Sequence, residues 1–286
     1  MNVKKWTALL LILLLLPLPA MGESYKIKDR RTSVTYDSET LKYQLEFLKL
    51  NGTECYLTTV WVQDPARQIL KVISPWHQAL SKADDLAAQI KGAALVINGS
   101  GYVSPQYPEI PEEYPGQSPD YYYTPLGSLT VVDGEVYRKL EGVPYYGLTL
   151  EEDGLHMYAG ADNDAVLARH PIQTWSFYEG CPMAQDGQDI LDHDWDFANR
   201  RAVRTIICKL KEENTYLILS ATWIHGLTLI EANEFLLGEF DTEWIYDLDG
   251  GPSSALLRRK KDKTKMVRVE LSKTTQKIVD VMGFVE

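Results

Sequence analysis

The chain has 286 residues, a hydrophobic fraction of 45% and a charged fraction of 24%; these values exclude a disordered or fibrous protein and allow one large domain or two small ones. A net charge of -11 lacks the basic footprint of a nucleic-acid binder, although local fields can still favour an anionic substrate. Cys55, Cys181 and Cys208 are too few for a disulfide scaffold; one bridge in an oxidising compartment is one reading, and three buried thiols is the preferred one.

Lys4 and Lys5, the apolar run Trp6 to Leu16, and Pro17, Pro19 and Ala20-Met21-Gly22 follow the order of a secretory signal peptide. The run is short for a bilayer span. Residues 1–22 are therefore expected to be removed on export, leaving residues 23–286 as the folded domain with no stable membrane insertion. From Tyr25 to Ile73 the pattern is strand-like, as in Ser33 to Tyr36 and Leu57 to Val62, with a turn at Asn51-Gly52. Pro75 to Lys91 reads as a helix with Leu80, Ala83, Ala87 and Ile90 on one face and Ser74 as its cap. It feeds a short buried strand, Ala93 to Ile97, that stops at Asn98-Gly99.

Residues 104–125 hold six prolines and the tyrosines Tyr107, Tyr114, Tyr121, Tyr122 and Tyr123. Two readings stand for so long a loop: a surface insertion over the core, or an aromatic rim that stacks on sugar rings. Leu129 to Val132 is a strand, Asp133-Gly134 a turn, and Glu135-Val136 the start of the next strand. Two further strands fall in Ala202 to Lys209 and Thr215 to Thr222. Thr228 opens a helix through a capping box with Glu231, and Trp244-Ile245-Tyr246 is a buried strand. Arg258, Arg259, Lys260, Lys261, Lys263 and Lys265 crowd what reads as a solvated hairpin tip. Many strands and two clear helices imply a single α+β domain with a large mixed or antiparallel β-sheet core and a few helices.

The strongest chemical signal follows the strand at 244–246. Asp247-Leu248-Asp249-Gly250-Gly251-Pro252-Ser253-Ser254 sets two carboxylates at a strand end, on the same side if strand geometry persists that far. Gly250 and Gly251 free the backbone for a turn whose N–H groups can form an anion-binding nest, and Ser253 and Ser254 add hydroxyls. The plain alternative is a tight turn in which Asp249 caps its own backbone.

This octapeptide resembles the Asn-Leu-Asp-Gly-Gly-Gly-Ser-Ser signature of the phosphodiester glycosidase family. Further blocks are similar and in the same order. They are Ala94 to Tyr102, Leu126 to Val136, Gly180-Cys181-Pro182-Met183 with Asp186-Gly187, Arg200-Arg201-Ala202-Val203, and Gly226 to Ala232, all within residues 93–256. The chain departs from the pattern at Asp247, where the family has Asn, at Pro252 and Arg204, where it has Gly, and at Ser100-Gly101, where it has Gly-Phe. The resemblance implies an exported hydrolase that cleaves a sugar-1-phosphodiester at the anomeric carbon, with an N-acetylglucosamine-type sugar in a glycan, wall polymer or exopolysaccharide. It implies a phosphosugar or anionic glycan as partner.

Within that frame the expected catalytic residues are Asp249 as base or stabiliser, Arg200 as a phosphate clamp, and Asn98 as an orienter of water or a sugar hydroxyl. Gly99, Asp247, Gly250, Gly251, Ser253 and Ser254 are the expected substrate-binding residues. An ion pair is the plain alternative for Arg200, and a left-handed turn residue for Asn98. The alternative function is a non-catalytic glycan-binding or polysaccharide-assembly protein on the same fold. No cofactor is indicated, and a divalent cation is left open. Asp192-His193-Asp194-Trp195-Asp196 lacks the later ligands of a Ca²⁺ loop and reads as a solvated acidic loop, and no pair of histidines has zinc spacing.

Overall fold

The computed structural model describes residues 25–105, 121–260 and 266–286. The expected signal peptide, most of the proline- and tyrosine-rich loop, and Lys261, Lys263 and Lys265 of the basic tip lie outside the described residues. The first nine strands are β1 (Ile27–Asp37), β2 (Leu41–Leu50), β3 (Thr53–Val62), β4 (Ile69–Ile73), β5 (Ala93–Asn98), β6 (Leu129–Val132), β7 (Glu135–Lys139), β8 (Tyr145–Glu151) and β9 (Gly154–Ala161). The rest are β10 (Gln173–Ser176), β11 (Pro182–Gln185), β12 (Gln188–Asp189), β13 (Thr205–Leu210), β14 (Thr215–Ala221), β15 (Thr242–Asp247), β16 (Leu256–Arg259), β17 (Met266–Arg268) and β18 (Asp280–Val285). Between them lie the helices α1 (Pro65–Gln68), α2 (Ala83–Ala87), α3 (Asn163–Leu167), α4 (Asp196–Asn199) and α5 (Leu229–Glu239).

These strands form an eight-stranded sheet in the order β1-β2-β3-β14-β13-β15-β11-β12 and a five-stranded sheet in the order β17-β16-β5-β18-β4. A three-stranded sheet β10-β8-β9 and the hairpin β6-β7 complete the set. Every strand ladder is antiparallel. The α+β class holds, with the core divided between facing sheets instead of carried by one.

Period-two alternation with apolar residues on both faces explains the layering. Leu41, Tyr43, Val60, Trp244 and Tyr246 of the eight-stranded sheet face Leu95, Ile97, Leu256, Met282 and Phe284 of the five-stranded one. On the opposite face Leu57, Ile206, Cys208, Leu219 and Ile245 pack under α5 through Leu229, Ala232, Phe235 and Leu236. The outer face of the five-stranded sheet, with Val96, Leu257 and Val281, packs on Ala83, Leu86, Ala87 and Ile90. The order is helix, sheet, sheet, helix. All three cysteines are buried and unbridged.

Two local expectations hold closely. Asn51 and Gly52, both at positive φ, turn β2 into β3, and α5 opens with the full Thr228–Glu231 capping box. One fails: the helix expected over Pro75 to Lys91 forms only at α2, after Lys82. Ser74 caps no helix; its Oγ donates to the Ile278 carbonyl (2.7 Å) and accepts from Ser81 N–H (2.9 Å). His77 lies at φ 58. Backbone pairing of Ser74 and Ser81 with Val279 and Ile278 draws this stretch along the start of β18, and tertiary pairing outweighs helical propensity.

Candidate active site at a sheet crossover

Between Asp247 and Leu256 the chain leaves the eight-stranded sheet and enters the five-stranded one. Leu248 N–H still pairs with the Thr205 carbonyl (2.9 Å), whereas Asp249 N–H pairs with Gly99 (3.1 Å) at the end of β5. Asn98, fully buried, fastens this crossing. Its Nδ2 donates to the Asp249 carbonyl (2.7 Å), and its Oδ1 accepts from Thr205 Oγ1 (2.9 Å) and Ala255 N–H (2.9 Å). Asn98 closes β5 and is absent from the positive-φ residues, so the left-handed-turn alternative does not apply. Its amide is committed to the protein on both sides.

The crossover loop is held tightly. Gly250 N–H donates to Asp249 Oδ1 (2.9 Å) and Gly251 N–H to the Val203 carbonyl (2.9 Å); Ser253 and Ser254 N–H groups turn back to Gly250 and Gly251 (3.2 Å each). The free N–H nest expected here is therefore not formed: each of these donors already has a partner. Gly251 sits at φ 60, where a Cβ is strained. Pro252 stands within the 3-10 turn Gly251–Ser253, near a turn start where an N–H has no intrahelical partner and the fixed φ of proline is preorganised. Its carbonyl accepts from Gln276 N–H (3.1 Å). Ser253 Oγ accepts from Gln276 Nε2 (2.6 Å) and hydrogen-bonds the Asp249 carboxyl. Ser254 Oγ is buried and has no partner among the described residues.

Asp249 is half-buried as a residue, and its carboxyl is enclosed. Desolvation pushes its pKa up to about 7 against the lowering effect of Ser253 and the Gly250 N–H, with Asp247 and Asp280 raising it further. Asp247, fully buried, is also pushed up to about 7 by desolvation, opposed by Arg204. Arg204 Nη1 lies 3.4 Å from Asp247 Oδ2, and Asp247 Oδ1 has no hydrogen-bond partner among the described residues.

Two of the departures from the family pattern, Asp247 and Arg204, thus face each other as a buried ion pair. Arg204 does more: Nη2 donates to the carbonyls of Phe197 (2.9 Å) and Arg200 (2.8 Å), Nε donates to that of Leu227 (3.4 Å), and the guanidinium lies 4.4 Å from the Phe197 ring centroid. Arg200 follows α4 with its backbone fixed by Arg204 and its side chain exposed; the described residues give that side chain no ion pair.

Asn98, Gly99, Asp247, Asp249, Gly250, Gly251, Ser253 and Ser254 are thus gathered at one crossover, with Arg200 joined to them through Arg204. Four participants escaped sequence reasoning: Thr205, Gln276, and the buried ion pair Lys71–Asp280 behind Gly99. The last had a signal, since each stands as a lone charge in an apolar run, Ile69 to Ile73 and Ile278 to Met282.

Of the metal-type donors, Glu151, Asp153 and His156 lie together. Glu151 is already engaged by Thr149, Tyr158 and Arg169. Asp192, Asp194 and Asp196 are exposed.

A family model for phosphodiester glycosidases matches residues 91–285, more than half of the chain, and the chain belongs to the phosphodiester glycosidase family. No curated protein matches it in sequence. Among solved structures it is similar to the catalytic domain of zebrafish N-acetylglucosamine-1-phosphodiester alpha-N-acetylglucosaminidase auto-inhibited by its pro-peptide. That likeness has a TM-score of 0.62 and 14% identity over 92% of this chain and 88% of that one. It is also similar to a hypothetical protein from Synechocystis, with a TM-score of 0.56 and 12% identity over 92% of this chain and 68% of the other. At such identities the shared property is the fold.

Proposed function

We propose that the chain is an exported glycoside hydrolase that cleaves a sugar-1-phosphodiester at the anomeric carbon, in a glycan, wall polymer or exopolysaccharide. The observation that carries this reading is Asp249: a desolvated carboxyl with a pKa of about 7, set in the family signature at a sheet crossover. Water adds to C1 and passes its proton to the Asp249 carboxylate acting as base, while the C1–O bond breaks and its electron pair leaves with the phosphomonoester. A phosphate is a good leaving group, so little general-acid help is needed; stabilising an oxocarbenium-like state and activating water remain. Asp249 in its ionised form suits either task, and Ser253 orients it.

The exposed Arg200 supplies a planar fork for the phosphate oxygens. Asn98 serves by fixing the Asp249 backbone, and Gly99, Gly250 and Gly251 by shaping the turn. Ser254 is left with a hydroxyl for a ligand oxygen. Asp247, tied to Arg204, tunes Asp249 through its charge. The zebrafish relative's name supports N-acetylglucosamine as the sugar, and Lys4, Lys5 and the apolar run after them support export.

The internally paired amides of the crossover loop favour a second reading, a glycan-binding protein without turnover. Purified protein lacking residues 1–22 separates the two on a panel of sugar-1-phosphodiesters. Release of phosphomonoester by wild type and not by Asp249→Ala supports the hydrolase. Glycan binding with no turnover across the panel supports the second reading.

A further inference from the structure

Behind Gly99, on the side away from Asp249, lie two fully buried charges. Lys71 on β4 and Asp280 on β18 sit 2.9 Å apart (Nζ to Oδ2), with neither side chain exposed to solvent. Asp280 Oδ1 accepts from Ser100 N–H (2.6 Å), and the Asp280 carbonyl accepts from Gly99 N–H (3.2 Å). The Gly99 carbonyl accepts in turn from Asp249 N–H (3.1 Å). Lys71 Nζ also donates to the Thr174 carbonyl and lies 5.4 Å from the Trp175 ring centroid. A Cβ on Gly99 would overlap the Asp280 carboxylate and the Trp175 ring, so the carboxylate fills the space a side chain would take. The peptide Asn98-Gly99-Ser100 is clamped between Asp280 behind and Asp249 in front.

A pair buried this deeply is weak evidence for stability, because apolar residues of similar volume often do as well. Its geometry gives it a different use. We propose that Lys71 and Asp280 form a positioning pair for the Asp249 site, acting through the Asn98-Gly99-Ser100 turn and not on the substrate. That role rests on Asp249 being the reacting carboxylate. The charged groups around Asp249 form a symmetric set. Asp247 on its own segment is backed by Arg204, and Asp280 from β18 is backed by Lys71. Both carboxylates raise the proton affinity of Asp249. Burial lowers the pKa of Lys71 while Asp280 raises it, so the ammonium ion depends on its partner.

The test removes both charges together with Lys71→Met and Asp280→Asn; the amide keeps an acceptor for Ser100 N–H. Wild type, this double variant and Asp249→Asn are labelled with ¹³C at aspartate carboxyls and titrated by NMR, Asp249→Asn assigning the Asp249 resonance. The double variant is expected to titrate Asp249 at lower pH than wild type. On a methyl phosphodiester of N-acetylglucosamine 1-phosphate its kcat is expected to fall about tenfold or more, as for a misplaced reacting group, with KM little changed. Asp280→Asn alone provides a second variant: Lys71, without its partner, gives up its proton, and the Asp249 midpoint is expected to fall as it does in the double variant.

A folded double variant with the wild-type midpoint and wild-type kcat overturns the positioning role. The titration needs no turnover. Inactivity of the wild type therefore sinks the hydrolase reading alone, and the Asp249 midpoint still decides the fate of the pair.

Discussion

Asp249 combines a partly open position with an enclosed carboxyl, and burial sets its proton affinity near neutrality. In the proposed role the ionised form is the working one, and the rate of wild type is then expected to rise through an acid limb near pH 7. Asp249→Asn is expected to lose about a hundredfold or more in rate, the range of general acid–base assistance, in a steady-state assay. The same shift has a stability consequence of defined sign. A carboxyl with a folded pKa above its unfolded value binds its proton more tightly when folded, so its contribution is fully present below pH 3.8 and lost as pH rises toward about 7. Between pH 5 and 7.5 the melting temperature of wild type should therefore fall more steeply than that of Asp249→Asn, by calorimetry.

Arg204 and Asp247 supply a second residue-scale prediction. Removing either leaves the other charge buried alone, at a cost of about 3–5 kcal/mol, whereas removing both costs far less. Arg204→Met and Asp247→Asn should each destabilise strongly in urea, and the double variant by clearly less than their sum. Additive losses would mean the two charges do not interact. The sequence displayed Arg204 and Asp247 as separate departures from a pattern; their pairing depends on the β13–β15 register, which is not written in either segment.

Elements with purely local causes were legible, and elements shaped by distant partners were not. The turn at Asn51-Gly52 and the capping box at Thr228 and Glu231 depend on neighbours in sequence. Thr228→Ala is expected to cost about 1 kcal/mol, the usual loss for an N-cap, measured by chemical denaturation. The stretch from Ser74 to Ser81 had helical spacing but is paired with the residues that lead into β18, some two hundred positions away, and spacing carries no trace of that.

The crossover loop is the intermediate case. Asp249-Gly250-Gly251 announced a turn with an acid, and Gly251 at φ 60 bears out the need for glycine. The same residues suggested open amides, and the Val203 carbonyl and the Asp249 carboxylate fill them. Gly251→Ala is expected to cost about 1–2 kcal/mol for a left-handed backbone, with a larger loss of activity than of stability, because Asp249 is placed by this turn.

At the scale of the molecule, the candidate site is assembled because two antiparallel sheets pack face to face and the chain crosses from one to the other at Asp249. The side-chain amide of Asn98, at the end of β5, donates to the Asp249 carbonyl and accepts from Thr205 Oγ1 of the eight-stranded sheet. Opposed apolar faces hold the sheets together; polar ties join them at this crossing and also where Tyr43 Oη donates to the Arg259 carbonyl (3.1 Å). The family was legible from ordered motifs spread over the chain, and the α+β class from its alternation of strands. The division into facing sheets was not, since period-two patterns fix faces without fixing partners.

The central claim is that water attacks the sugar carbon and not the phosphorus, and hydrolysis in H₂¹⁸O tests it directly. With N-acetylglucosamine 1-phosphate methyl diester as substrate, the released methyl phosphate is predicted to carry no ¹⁸O by mass spectrometry, and its release is predicted to vanish in Asp249→Asn. Label in the methyl phosphate would contradict attack at carbon, and release undiminished in the variant would contradict the role of Asp249.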